Sequence, residues 1–159
     1  MTPSGKDRLA ELHRQWFERC LTQRQLNLID ALFTPDHVLR YVAAPAWDPR
    51  EGQPIVAMAK MYLRACPDLY FTVEEQIVSD DRVVTRFRVL GTQHGRLGVL
   101  PASHKPFEVT GIEIVRFAGE RIAETWHHID ALGVLVQTGA IQVLVRPEVK
   151  PRDDVEAEP

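Results

Sequence analysis

The residues best suited to chemistry lie between Gly119 and Gly139, in the sequence GERIAETWHHIDALGVLVQTG. The segment opens at a Gly-Glu turn and continues as a predicted strand, in which successive side chains point to opposite faces. One face carries Glu124, Trp126, His128 and Asp130, and the other carries Ala123, Thr125, His127 and Ile129. A carboxylate near an imidazole at a strand end suits acid/base catalysis, since a surrounding cavity raises a carboxyl pKa toward neutral.

Two interpretations of Asp130 follow from its position. It is either the acid/base group of a site or the N-cap of the short apolar helix that follows. His127 and His128 point to opposite faces of a strand, so they cannot bind one metal ion together. Alternation places His128 on the face of Asp130. The sequence has no GxSxG, GxGxxG, GxxxxGK[ST] or CxxC motif, which leaves proton transfer without a metal or cofactor.

Composition indicates one ordinary globular domain. The chain has 159 residues, of which 45% are hydrophobic, and its formal charge of -3 predicts no general attraction to nucleic acid. The apolar runs are too short for a membrane span, and the charged N-terminal segment lacks a signal core. We therefore expect a cytoplasmic protein without membrane or nucleic-acid partners. Cys20 and Cys66 are expected to be buried free thiols.

Three helices are predicted ahead of the strands, over residues 6–22, 25–33 and 54–66. The first has an apolar stripe formed by Leu9, Leu12, His13, Trp16 and Cys20. The second is expected to stop at Thr34-Pro35-Asp36, because proline disfavours helix at the residue before it. A short strand is predicted at 37–43, and the Pro-rich segment 44–54 is expected to be a loop that contains Trp47.

From residue 69 the pattern changes to an antiparallel meander of four strands, at 69–78, 82–95, 107–117 and 121–130. This order of elements gives an α+β fold, in which helices on one face of a curled sheet are expected to enclose a cavity. Arg86 and Arg88 share a face and are spaced to meet Glu side chains on a neighbouring strand. The domain is predicted to span 1–144, followed by a disordered Pro-rich acidic tail at 145–159.

About half of the chain, from Ala65 to Ala140, resembles the SnoaL-like polyketide cyclases (ester cyclases) of the NTF2-like superfamily. The resemblance rests on a set of short pieces in the same order as in that family. These are Pro67-Asp68-Leu69, FTVEE, DRVVTRF, Gly91-Thr92, Leu100-Pro101, Gly111-Ile112-Glu113-Ile114, Arg116-Phe117, G-x-I-x-E-x-W, Trp126-x-x-x-Asp130-x-Leu132-Gly133 and Val136-Gln137-x-Gly139-Ala140.

The resemblance implies a cone-shaped α+β barrel, with three helices on a curved sheet, an apolar pocket and a homodimer or homotetramer. It further implies ring closure of a hydrophobic polyketide-like substrate by an intramolecular aldol reaction, without metal or cofactor, in the lyase or isomerase class. Asp130 maps to the acid/base Asp of the family. His128 is predicted to support it, and the predicted substrate contacts are Trp126, Thr92, His94, Glu113, Tyr41 and Trp47.

This chain departs from the family pattern at several polar positions. It has Leu39-Arg40-Tyr41-Val42 in place of a YVxHD-type stretch, and Gly91-Thr92-Gln93 in place of GTH. Two alternatives to the aldol cyclase therefore stay open. One is an epoxide-opening or hydroxylating enzyme, in which Arg86, Arg88 or Arg116 lies beside Asp130 or Glu113. The other is a non-catalytic module that binds a small apolar ligand.

Overall fold

The computed structural model describes residues 5–41, 54–142 and 144. Trp47 and the predicted tail at 145–159 lie outside the described residues. The helices are α1 (Gly5–Gln15), α2 (Ile29–Leu32), α3 (Ile55–Ala65) and α4 (Ala131–Gln137). Helix α1 continues into a π-helical segment at Trp16–Thr22, and a 3-10 turn at Leu26–Leu28 leads into α2. None of the described helices is long and apolar enough to cross a membrane.

Five strands form one sheet. They are β1 (Phe33–Tyr41), β2 (Tyr70–Ser79), β3 (Arg82–Thr92), β4 (Pro106–Ala118) and β5 (Arg121–Ile129). The order across the sheet is β1-β5-β4-β3-β2. The four later strands pair antiparallel as predicted, whereas β1 pairs parallel to β5. The result is the predicted α+β architecture, with helices packed on a curved sheet that does not close.

The start of β1 corrects the sequence prediction. The helix predicted at 25–33 ends at Leu32, and Phe33 is already extended. The strand then runs through Pro35 instead of beginning after it. β1 is an edge strand, and an edge strand tolerates a proline. The register of β1 with β5 also shifts between Phe33 and Val38, so the missing N–H of Pro35 does not interrupt a regular ladder of hydrogen bonds.

The core lies between the concave face of the sheet and α1 with its π-helical extension. Alternate residues of β3 and β4 point inward, and most of them are apolar: Val83, Phe87, Val89, Phe107, Val109, Val115 and Phe117. They pack with Trp16 and Phe17, which are fully buried. Two inward positions on the same strands, Thr85 and Glu113, are polar and also fully buried. The sheet therefore carries polar groups into its apolar core.

A glycine in β4 allows this core to close. A Cβ atom at Gly111 would lie 2.6 Å from the backbone oxygen of His128 and would also overlap the ring of Phe87. We predict that Gly111→Ala lowers the free energy of unfolding by about 1–3 kcal/mol through overpacking. Denaturant unfolding followed by circular dichroism measures the change. Gly5→Ala is the control, because among the described residues no atom beyond its chain neighbours and its own helix backbone lies within 4 Å of the added methyl group. Equal stability of both variants would contradict the packing described here.

Candidate functional site

Glu113 occupies the centre of a polar network inside the core. It projects from the concave face of β4 and is fully buried. Its Oε2 lies 2.8 Å from Nδ1 of His127 on β5, and its Oε1 lies 2.9 Å from Nε2 of His13 on α1. The register of the sheet brings the first pair together, since Glu113 and His127 are direct partners across β4 and β5.

Glu113 is ionised despite its burial. Burial alone raises the pKa of a carboxyl group, but the hydrogen bonds from His127 and His13 outweigh this effect and lower the pKa of Glu113 to about 2. An ionised carboxylate only accepts hydrogen bonds. Nδ1 of His127 and Nε2 of His13 must therefore both carry protons. A neutral His127 then has its lone pair on Nε2.

His127 connects this network to a cavity between the sheet and the helices. Apart from His127, the lining is almost wholly apolar and includes Met58 on α3, Phe107 on β4 and Val134 on α4. The space left between the side chains is about 20 Å³, enough for about one water molecule. Phe87 stacks on the His127 ring at 5.9 Å between centroids, which holds the plane of the imidazole.

Two buried nitrogen atoms of the cavity lining have no hydrogen-bond partner within the described part of the chain, Nε2 of His127 and Nε1 of Trp16. The first offers a lone pair and the second an N–H donor. A buried polar atom without a partner costs about 1–3 kcal/mol, so its retention needs an explanation. A ligand that donates a hydrogen bond to Nε2 of His127 and accepts one from Nε1–H of Trp16 would explain why both groups are retained.

The cavity also contains a thiol, that of Cys66. Burial raises its pKa to about 12, with a smaller contribution from the carboxylate of Asp68. The thiol is protonated at neutral pH and is a poor nucleophile. Acid/base chemistry at His127 is therefore better supported than covalent catalysis at Cys66. Cys20 and Cys66 are both buried free cysteines, as predicted.

The prediction that His128 and Trp126 face the cavity is wrong. His128 is exposed, and Trp126 is half-buried with the Arg82 guanidinium 5.3 Å from its ring centroid. The other face of β5, with Thr125 and His127, turns inward. The physical reason is hydrophobic alternation, because that face is the less polar of the two and packs against the core.

Asp130 caps α4. It is exposed, and its Oδ1 accepts a hydrogen bond of 2.8 Å from the backbone N–H of Gly133. This geometry matches the second interpretation of Asp130 from the sequence, the N-cap of the following helix. Asp130 is not among the residues that line the cavity next to His127.

The other predicted contacts are dispersed. Thr92 lies in a surface groove beside Asp68, whose carboxylate accepts from the Thr92 backbone N–H at 2.8 Å. His94 is exposed, with the ring of His104 at 6.1 Å. Tyr41 is buried with its ring centroid 6.0 Å from that of His127. Of the predicted contacts within the described residues, only Glu113 and Tyr41 lie beside His127.

The arginines of the epoxide-opening alternative lie on the outer face of the sheet. Arg86 pairs with Glu74, and Arg88 bridges Glu74 and Glu108 at 2.8 and 2.7 Å. Arg116 pairs with Glu124 at 3.2 Å. These pairs confirm the predicted cross-strand contacts of Arg86 and Arg88. Among the described residues they do not form the carboxylate–Arg–carboxylate arrangement around Asp130 that the alternative needs.

The sequence matches the family model described as SnoaL-like polyketide cyclase over residues 11–138. The chain belongs to the SnoaL-like polyketide cyclase family. Membership supports an enzyme of the cyclase or isomerase type, and the α+β cone described above is the fold of this family. No protein with a curated description matches the sequence.

Several solved structures share this fold. IdmH from Streptomyces antibioticus, a proposed polyketide cyclase, is 25% identical, with a TM-score of 0.67 over 82% of this chain and 98% of its own. AclR from Streptomyces galilaeus, a proposed hydroxylase, is 23% identical, with a TM-score of 0.73 over 87% and 100%. A proposed SnoaL-like polyketide cyclase from Jannaschia sp. CCS1 is 19% identical, with a TM-score of 0.76 over 89% and 99%.

Sequence reasoning missed His127 and His13 as partners of Glu113, although a signal for them was available. Glu113 is in phase with Val109, Val115 and Phe117, which marks it as buried. His13 lies on the apolar stripe of α1. Buried ionisable residues are paired, so a buried carboxylate and a buried histidine in one small core are expected to meet.

The depressed pKa of Glu113 predicts a loss of stability in acid. Its folded-state pKa of about 2 lies below the ordinary value of 4.5, so its contribution is present above pH 4.5 and is lost as the pH falls toward 2. We predict that Glu113→Gln has lower stability at pH 7 and a smaller further decrease over this window than wild type. Denaturant unfolding at several pH values measures both. Equal pH slopes for the two proteins would contradict the assignment.

Proposed function

We propose that this protein is a cofactor-independent cyclase or isomerase in which His127 is the general base. The observation that carries the proposal is the buried Nε2 of His127, which has no partner among the described residues and belongs to a side chain that lines an apolar cavity. Its Nδ1–H is held by ionised Glu113 at 2.8 Å. A base that a carboxylate orients through its second ring nitrogen is a recurrent arrangement in acid/base catalysis.

The proposed substrate is a hydrophobic polyketide-like β-keto ester. Its carbon between the ketone and the ester is acidic, because the enolate spreads its charge over two carbonyl groups. Nε2 of His127 takes the proton from this carbon, and the enolate carbon then attacks a second carbonyl of the same molecule. One C–H bond breaks and one C–C bond forms. The imidazolium returns its proton to the new alkoxide, so substrate and product are isomers.

Glu113 stabilises the imidazolium that forms during this reaction. Its charge is fixed 2.8 Å from Nδ1 and needs no rearrangement when His127 gains a proton. General acid/base catalysis of this kind contributes about 10²–10⁴-fold to rate. Nε1–H of Trp16 is the donor proposed for the enolate oxygen, because Trp16 lines the same cavity and its Nε1–H lacks a partner among the described residues.

The size of the cavity limits how a substrate binds. A space of about 20 Å³ holds a water molecule but no ring, so a ring-sized substrate requires movement of lining side chains. Met58 is suited to this, because its unbranched side chain changes shape readily. The cytoplasmic location, the homodimer or homotetramer, and the absence of nucleic-acid and membrane partners also remain parts of this proposal.

Exchange of the acidic proton of a small β-keto ester tests the base directly. Wild type, His127→Asn and Asp130→Asn are incubated in D₂O with methyl 2-oxocyclopentanecarboxylate, and deuterium uptake at C1 is followed by NMR. We predict that His127→Asn lowers the enzyme-dependent rate by about 10²–10⁴-fold. Asparagine retains an N–H near the position of Nδ1 and removes Nε2, so the contact with Glu113 is conserved.

Asp130→Asn is the matched control for the other carboxylate, since asparagine caps a helix as well as aspartate does. Its exchange rate is expected to stay within about threefold of wild type, as for a surface substitution that keeps its cap. A loss of exchange in Asp130→Asn together with normal exchange in His127→Asn would overturn the assignment. In parallel incubations with polycyclic β-keto esters and epoxides, a mass gain of water or oxygen would instead favour epoxide opening or hydroxylation.

A further inference from the structure

A chain of buried polar groups continues behind Glu113, away from the cavity. Nδ1 of His13 lies 2.8 Å from Oγ1 of Thr85 on β3, and both residues are fully buried. Oγ1 of Thr85 accepts a hydrogen bond of 3.1 Å from Nε2 of Gln76 on β2. The groups thus join α1, β2, β3, β4 and β5 across the core.

The hydrogen bonds at the outer end of this chain have a determined direction. Arg14 donates to Oε1 of Gln76 at 2.9 Å, and Nε2 of Gln76 donates to the backbone oxygen of Ala10 at 3.0 Å. The amide of Gln76 therefore has one orientation, and its second Nε2–H points to Thr85. Thr85 is free to donate its hydroxyl proton to Nδ1 of a neutral His13. His13 then donates Nε2–H to Glu113.

We infer that His13, held by Thr85 and Gln76, is a positioning residue that keeps Nε2 of His127, a residue of the cavity lining, unprotonated. The inference rests on the proposed role of His127 as the base. Glu113 has two oxygen atoms, and His13 saturates the one that His127 leaves free. Without that donor, a fully buried Oε1 has no compensating hydrogen bond, and protonation of Glu113 becomes the favoured way to remove its charge.

The state of Glu113 determines the tautomer of His127. Ionised Glu113 accepts from Nδ1–H and leaves Nε2 unprotonated. Protonated Glu113 has an O–H that donates to Nδ1, and this moves the imidazole proton to Nε2. His127 then presents an N–H to the cavity instead of a lone pair and cannot act as a base. His13 thus acts on His127 through Glu113, from the opposite side of the carboxylate, without touching the substrate.

A third histidine lies near this network. Among the described residues, His37 on β1 is a further titratable side chain whose charge interacts with Glu113, and its Nε2 lies 2.9 Å from Oγ1 of Thr125. Burial lowers the pKa of His37 to about 4, so its imidazole is neutral at pH 7.5, the pH of the experiment below. Its partner is Thr125 and not Glu113, which leaves His13 as the group that contacts the second carboxylate oxygen.

The tautomer of His127 is measurable without any substrate. Two-bond ¹H–¹⁵N spectra of ¹⁵N-histidine-labelled protein distinguish protonated from unprotonated ring nitrogens at pH 7.5. We expect wild type and His13→Gln to show unprotonated Nε2 at His127, because glutamine retains an N–H donor near the position of Nε2. We expect His13→Phe, which has no donor, to show a protonated Nε2. Phe117→Leu is the packing control, because Phe117 is buried in β4 outside the cavity lining.

Kinetics provide the second readout. His13→Phe is expected to lower kcat for deuterium exchange at least about tenfold with KM within about twofold, and His13→Gln to restore most of the rate. An unprotonated Nε2 of His127 in His13→Phe overturns the inference. If His13→Phe does not fold, the same spectra of Thr85→Val provide the test. We expect a partial shift of His127 toward the tautomer with protonated Nε2. Absence of this shift would contradict the inference. Normal exchange in His127→Asn would overturn the proposed function alone, since the spectra test His13 independently.

Discussion

The buried negative charge of Glu113 is the constraint on which the rest of the site depends. An isolated carboxylate is unstable in an apolar core, and here two imidazole donors from different elements compensate it. Because each donor must present an N–H, the charge also sets the tautomers of both histidines. Loss of either donor therefore affects packing, protonation and chemistry together.

This constraint links the fold to the site. The antiparallel register of β4 and β5 places Glu113 opposite His127, and the packing of α1 on the concave face brings His13 to the other oxygen. The cavity forms where the sheet and α3 leave space beside His127. Helix and sheet are thus joined by hydrogen bonds as well as by apolar contacts, and the base lies where the two layers meet.

Periodicity predicted the strands β2 to β5, the α+β class and helices α1 and α3, because apolar alternation and turn residues are local signals. It did not predict β1 through Pro35, since only the edge position in the sheet makes a proline acceptable there. For the site, sequence reasoning proposed Glu113 but selected His128 on the wrong face of β5. The Glu113–His127 contact depends on register, and the Glu113–His13 contact on how α1 packs; a single sequence gives neither.

We conclude that Glu113 is ionised inside the core while both histidines donate to it. Isotope-edited infrared spectroscopy of ¹³C-glutamate-labelled protein, as the difference between wild type and Glu113→Gln, observes this carboxyl group directly. We predict a carboxylate band and no protonated carbonyl band for Glu113 at pH 7, with the carboxylate retained at pH 4.5, where an ordinary glutamate is half protonated. A protonated carbonyl band at pH 7 would contradict it, because His127 would then lack the partner that keeps its Nε2 free.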